Sequence, residues 1–179
     1  MPTVGTLRSR LALAALLAGC STSAAPVGGC PRFVSEANLS SPSVSFANDV
    51  MPIFQATCGI GGESCHGDPS VTQDFRPLPF LGYYDSDGGA TAFPTVRDGL
   101  VGVLSSENIL MNLVTAGDPT KSFLMHKMDG DQCTLIPQCM TGNSPRPNCG
   151  SSMPYQTDLL DVGSRDTIRR WIQQGALDN

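Results

Sequence analysis

Residues 57–67 read Thr57-Cys58-Gly59-Ile60-Gly61-Gly62-Glu63-Ser64-Cys65-His66-Gly67. The stretch directly follows a helical pattern, and its reading decides whether the surrounding helices form a cofactor-binding domain or a plain disulfide-stapled one. Six residues separate the two thiols, three of them glycines that can fold a loop back on itself. One reading is a disulfide between Cys58 and Cys65, which a flexible glycine loop allows, with His66 left at the surface. The other joins the three side chains in one chemistry, because adjacent positions such as Cys65 and His66 can make two different bonds to a single group.

Upstream, Phe46, Val50, Ile53 and Phe54 fall at i, i+4, i+7 and i+8, the spacing of one helix face. Proline is tolerated only in a first turn or at a kink, so Pro52 places the regular helix from about Asp49 to Thr57. Downstream, residues 67–94 mix prolines and glycines with Phe75, Phe80, Tyr83, Tyr84 and Phe93 in no clear period, which predicts a long wrapped loop. Val96, Leu100, Val103 and Leu104 return to helical spacing, weakened by Gly99 and Gly102. Asp118-Pro119 supplies an N-cap followed by proline at the first helical position. It opens a short helix through Phe123, Leu124, Lys127 and Met128 that Gly130 stops. Residues 129–152 are rich in Cys, Pro and Gly and read as a second loop. The last helix is the clearest, with Ser164 as a cap, Ile168, Trp171, Ile172 and Gln174 on one set of turns, and Gly175 at its end. Phe46, Phe54 and Trp171 are expected to pack the first helix on the last. Helices separated by long loops, with little strand alternation, predict an all-α domain whose irregular loops are stapled by disulfides.

Composition agrees with a loop-rich chain: the 179 residues include 19 Gly and 14 Pro, and 15% are charged against about 25% in an average domain. Lys and Arg number 11 against 16 Asp and Glu, a formal charge of -5, and the basic residues are scattered. Neutralising phosphates takes clustered Lys and Arg, which argues against a nucleic-acid surface and against an anionic-membrane patch. Near the N-terminus Arg8 and Arg10 precede the apolar run Leu11 to Ala18, which is too short to span a bilayer and reads as an export signal. The run ends in Leu17-Ala18-Gly19-Cys20, which resembles the lipobox of bacterial lipoproteins. That resemblance implies removal of residues 1–19 and lipidation of Cys20. Residues 20–43 are then expected as a flexible tether, interrupted only by Cys30 and a Phe33-Val34 pair able to dock, and residues 44–179 as the domain.

From about Phe46 to Ala176 the chain carries, in order, Asp49-Val50-Met51-Pro52-Ile53-Phe54, then Cys65-His66-Gly67, then Gly117-Asp118-Pro119 with Ser122-Phe123-Leu124. Met153-Pro154 and Ile168-Arg169-Arg170-Trp171-Ile172-Gln173-Gln174-Gly175-Ala176 complete the series. In this order the pieces resemble a bacterial c-type cytochrome domain, mono-haem and class I-like, of the kind found in exported and lipoprotein chains. The resemblance implies that Cys58 and Cys65 add to the vinyl groups of one haem c and that His66 coordinates its iron. Six residues separate the thiols here where the family has two, and closing the longer loop costs only about 0.7 kcal/mol more. The resemblance further implies Met153 as the second axial ligand, in an irregular loop where Pro154 stiffens the backbone. Met140 is a competing sulfur in the same loop, and His126 is an alternative nitrogen ligand.

With haem attached, Cys30, Cys133, Cys139 and Cys149 leave two bridges in three possible pairings; without it, all six cysteines after Cys20 allow three bridges. The resemblance implies a membrane-anchored electron-transfer protein rather than an enzyme, because His66 and Met153 would occupy both axial positions. Its partners would be the membrane, reached through the N-terminal lipid, and a redox protein bound transiently through a basic patch, with no nucleic acid. Ser21 after the lipidated Cys, in place of Asp, implies the outer membrane of a bacterial envelope, facing the periplasm or the cell surface. A haem-free, disulfide-stapled lipoprotein module for binding or structure is the alternative from another class, and an open-site haem enzyme or gas sensor is a third.

Overall fold

Ser45 opens the first helical segment. Its hydroxyl accepts the Asn48 N–H at 3.2 Å, and a π-helical turn over Phe46–Val50 runs straight into α1 (Met51–Thr57). Pro52 sits in the first turn of α1, where its missing N–H leaves no helix bond unmade. The computed structural model describes residues 30–59, 65–67, 72–73, 76–82, 93–108, 110–135, 139–141, 144–145 and 149–179; the stretch read as an export signal and Cys20 lie outside them.

α2 (Phe93–Asp98) stops ahead of Gly99, so the helical spacing that continues to Leu104 does not extend the helix. Val101 and Leu104 bridge instead to Val114 and Asn112, with the Leu113 N–H donating to the Val103 carbonyl at 2.7 Å. Gly99 and Gly102 each disfavour a helix by about 1 kcal/mol, and the paired backbone satisfies the same polar groups. Asp118 caps as expected, its Oδ1 accepting the N–H groups of Thr120 and Lys121 at 3.1 and 3.2 Å over a single 3-10 turn. α3 (Phe123–Asp129) follows and ends at Gly130, whose φ of +72° turns the chain away. The cap of α4 (Val162–Gln173) is Asp161 rather than Ser164: its carboxylate accepts the Ser164 N–H at 2.9 Å and the Ser164 hydroxyl at 2.6 Å. Gly175, at φ +103°, closes the far end: its N–H reaches Ile172 O at 3.0 Å and the Ala176 N–H reaches Trp171 O at 2.9 Å. Two antiparallel ladders of two residues per strand lie in the loops, β1 (Thr72–Gln73) with β2 (Arg76–Pro77) and β3 (Met140–Thr141) with β4 (Ser144–Pro145).

The core joins the two ends of the domain. Phe46 stacks on Trp171 with ring centroids 4.9 Å apart, and Met51, Phe54, Leu100, Met128 and Ile172 are buried around them. Each such side chain contributes about 1.5–3 kcal/mol on leaving water. Asn179 continues this join, its backbone carbonyl accepting the Ala47 N–H at 3.1 Å and the Ser45 hydroxyl at 2.7 Å. α3 and α4 are tied by a buried ionic cluster in which Asp129 takes Arg165 at 2.9 Å and Arg169 at 2.6 Å, and Arg169 also binds Asp166.

Two disulfides brace the loops, Cys30–Cys133 with Cα atoms 5.7 Å apart and Cys139–Cys149 at 5.1 Å. Cys58 and Cys65 are not bonded to each other. Of the stretch expected as a tether, residues 30–43 are docked on the domain, running along α4 and its C-cap. Arg170 Nε donates to Asn38 O at 3.0 Å, Gln174 Nε2 to Pro42 O at 2.9 Å, and Ser35 Oγ to Asp166 at 2.7 Å. The Phe33 ring lies 4.3 Å from the Arg165 guanidinium. The polar row on α4 satisfies an arm that has few apolar groups of its own.

Candidate functional site

Cys58 terminates α1. Its N–H and that of Gly59 both reach Phe54 O, at 2.8 and 2.7 Å, and the thiol is buried with the Thr57 hydroxyl 3.4 Å away. Burial pushes the Cys58 thiol above its ordinary value of 9.0; the Thr57 hydroxyl works against that, and the nearby Cys65 adds to it. The chain then returns to the helix end. The His66 N–H donates to Cys58 O at 3.1 Å and the Leu81 N–H to His66 O at 2.8 Å, so Cys58, Cys65 and His66 are gathered at one place although residues 60–64 lie outside the described ones.

Three glycines make this return possible. A Cβ on Gly59 would stand 2.6 Å from the Cα of Gly82, and a Cβ on Gly82 would stand 2.8 and 2.9 Å from the Cα atoms of Gly59 and Gly67. Three backbones meet closer than any side chain permits. Gly59 and Gly67 flank the cysteine loop in sequence, but the third partner, Gly82, gives no sequence signal of belonging with them.

The imidazole of His66 is oriented by one bond. Nδ1 lies 2.7 Å from the carbonyl oxygen of Pro79, which can only accept, so Nδ1 carries the proton and Nε2 keeps its lone pair. Burial holds the ring below its ordinary 6.5, the Pro79 bond partly offsets this, and the charges of Lys127 and Glu107 act on it in opposite senses. His66 is therefore a neutral imidazole at neutral pH, with one nitrogen fixed and the other basic. Sequence reasoning had no access to Pro79, since a backbone carbonyl is offered by every residue type.

Met153 is placed from α3. Its N–H donates to Lys127 O at 2.8 Å, its side chain is half-buried, and its bond to Pro154 is cis. Lys127 itself is buried, with Nζ 2.8 Å from Glu107 Oε2 and 3.0 Å from Cys149 O. The ion pair that adjoins Met153 is thus the one whose charges reach His66. The Met140 side chain and Cys20 lie outside what is described. His126 is committed elsewhere, Nδ1 to Asp131 at 2.7 Å and Nε2 to Thr120 O at 3.1 Å, which leaves it no nitrogen for a metal.

Two buried amide nitrogens, Gln55 Nε2 one turn before Cys58 and Asn108 Nδ2 beside Glu107, have no hydrogen-bond partner among the described residues. Leaving such a donor unpaired costs about 1–3 kcal/mol. Among the described residues no three His, Cys, Asp or Glu side chains converge as a metal-ion site, and no helix is long and apolar enough to cross a membrane. The chain matches no known protein family, no curated protein and no solved structure.

Proposed function

We propose that this chain is a lipid-anchored electron-transfer protein that holds one haem c covalently through Cys58 and Cys65, with His66 and Met153 as axial ligands. The carrying observation is the Nδ1–H bond from His66 to Pro79 O, which leaves Nε2 a fixed, neutral donor on a residue that follows Cys65 and bonds the Cys58 backbone, both thiols being outside any disulfide. A histidine that ligates iron characteristically donates its other N–H to a carbonyl or carboxylate, which sets the tautomer and strengthens the ligand.

When bound, the haem supplies one-electron exchange between ferric and ferrous iron. The residues do the rest. Burial keeps His66 unprotonated and therefore able to donate. Burial also keeps the Cys58 thiol protonated at neutral pH, so its conversion to the reactive thiolate falls to an attachment apparatus rather than to a neighbouring base. Pro154 restrains the Met153 backbone beside Lys127. With His66 and Met153 both holding the group, no place would be left for a substrate, and the reading is of a carrier rather than an enzyme. The acidic chain would meet a basic patch on a transient redox partner, and Cys20 would anchor it to a bacterial envelope membrane.

The test is the visible spectrum and intact mass of protein exported from a host competent in cytochrome c maturation. The expected product is red, keeps its haem after denaturation, and partitions with membranes through a lipidated Cys20. Colourless protein with Cys58 and Cys65 in one disulfide-linked peptide would establish the haem-free module instead. Ready binding of carbon monoxide by the unaltered protein would favour the open-site reading.

A further inference from the structure

The arm that precedes the domain is held in two different ways. Over 38–44 it is bound by hydrogen bonds to α4 and its C-cap residue Gln174: Arg170 to Asn38 O at 3.0 Å, Gln174 to Leu39 O at 3.3 Å and to Pro42 O at 2.9 Å, and the Val44 N–H to Gln174 Oε1 at 3.0 Å. Over 30–37 the bonds to the domain are fewer: Ser35 Oγ to Asp166 at 2.7 Å and the Phe33 N–H to Asp131 at 3.4 Å, with the Phe33 ring on Arg165 and Arg169. What holds this half is the Cys30–Cys133 bridge, which fastens the arm to a segment 103 residues away.

We propose that the Cys30–Cys133 disulfide is a reducible latch that sets how far the domain stands from its anchor. The reach rests on the reading of Cys20 as the lipidated residue; the latch itself does not. Closed, the arm is fastened at Cys30, ten residues after Cys20, and those residues can span at most about 35 Å. Open, it is fastened only from Asn38, eighteen residues after Cys20, and the limit rises to about 60 Å.

Accessibility makes this bridge the one that responds. Cys30 is exposed, whereas Cys139 and Cys149 are 1% and 0% exposed, out of reach of a dissolved thiol. The reductant is an external dithiol. One of its thiolates attacks Cys30 Sγ, the S–S bond breaks and Cys133 leaves as a thiolate that takes a proton. The second thiol then resolves the mixed disulfide, releasing Cys30 as a thiol and the reductant as a disulfide, with two electrons and two protons gained by the protein. The domain survives the opening because Arg165 and Arg169, once uncovered by Phe33, still have Asp129 and Asp166 as partners.

The experiment uses the full lipidated chain on phospholipid vesicles, with dithiothreitol as the dithiol. Hydrogen exchange, peptide mapping of free thiols, and energy transfer from Trp171 to an acceptor lipid are followed together. Expected are cleavage of Cys30–Cys133 alone, at least tenfold faster exchange at residues 33–37 with α4 unchanged, and weaker energy transfer. The Cys30→Ser, Cys133→Ser double variant should show the open state without dithiol. Cleavage with residues 33–37 still protected overturns the latch. Faster exchange with unchanged energy transfer overturns the reach. A chain whose mass carries no lipid overturns the anchor reading and the reach with it, while exchange still decides the latch.

Discussion

Arg169 holds both carboxylate oxygens of Asp129 with one guanidinium nitrogen, at 2.6 Å each, and so fastens α4 to α3 across 40 residues of sequence. Removing one partner of a buried pair strands the other charge, which costs about 3–5 kcal/mol. Asp129→Ala should lower stability by that amount in urea unfolding with disulfides intact. Lys121, whose side chain is 75% exposed beside Asp118, should cost less than about 1 kcal/mol when changed to Ala. Equal effects at the two sites would contradict the assignment.

The two histidines should move stability with pH in opposite directions. Burial opposes charge on His126, but the hydrogen bond and charge of Asp131 outweigh it and raise the ring above its ordinary 6.5. A histidine raised in the folded state gives stability that is complete below pH 6.5 and lost as pH climbs through the folded value. His66 is lowered, chiefly by burial, so it costs stability as pH falls from 6.5 through its folded value. Melting temperatures of the haem-free chain across this range should lose their alkaline decline in His126→Gln and their acid decline in His66→Gln. A His126→Gln profile that still declines as the wild type does would remove Asp131 as the cause.

Gly82→Ala should disturb the cysteine loop from outside it. The added methyl meets the backbones of Gly59 and Gly67, which cannot swing aside as a side chain can, and overpacking of this kind costs about 1–3 kcal/mol. On the haem reading, the ratio of haem absorbance to protein should fall severalfold in the exported variant. An unchanged ratio would mean that the glycine contact does not shape the attachment site.

On the same haem reading, Met153→Ala should abolish the near-infrared-edge band of a thioether bound to ferric haem, open the iron to carbon monoxide and lower the reduction potential. Met140→Ala should leave the band in place. Loss of the band in Met140→Ala alone would transfer the ligand to that residue.

Residue type and spacing made the Phe46 and Trp171 contact legible, along with the Asp118 cap and the Gly175 closure, because apolar period, cap chemistry and a left-handed turn each leave a mark in sequence. The end of α2 was not, since Val103 and Leu104 keep helical spacing while their backbone pairs with 112–114. Ser164 and Asp161 are both capping residues three positions apart, and only geometry shows that the carboxylate accepts and the serine donates. Docking of residues 30–43 was hidden because the bonds run from Arg170 and Gln174 to backbone carbonyls, whose positions no composition reveals. At the candidate site the same reason hid Pro79, while Cys58, Cys65 and His66 stood out by residue type.

The stacking of Phe46 on Trp171, and the return of Asn179 to Ser45 over 134 residues, join parts of the chain far apart in sequence. Contacts between distant positions form only after a long loop has closed, and such chains fold slowly. A ribosome delivers Trp171 about 6–25 s after Phe46 at ordinary synthesis rates. Through that interval the first helical segment has neither its stacking partner nor Asn179, so the join between the two cannot close until the last helix has been made.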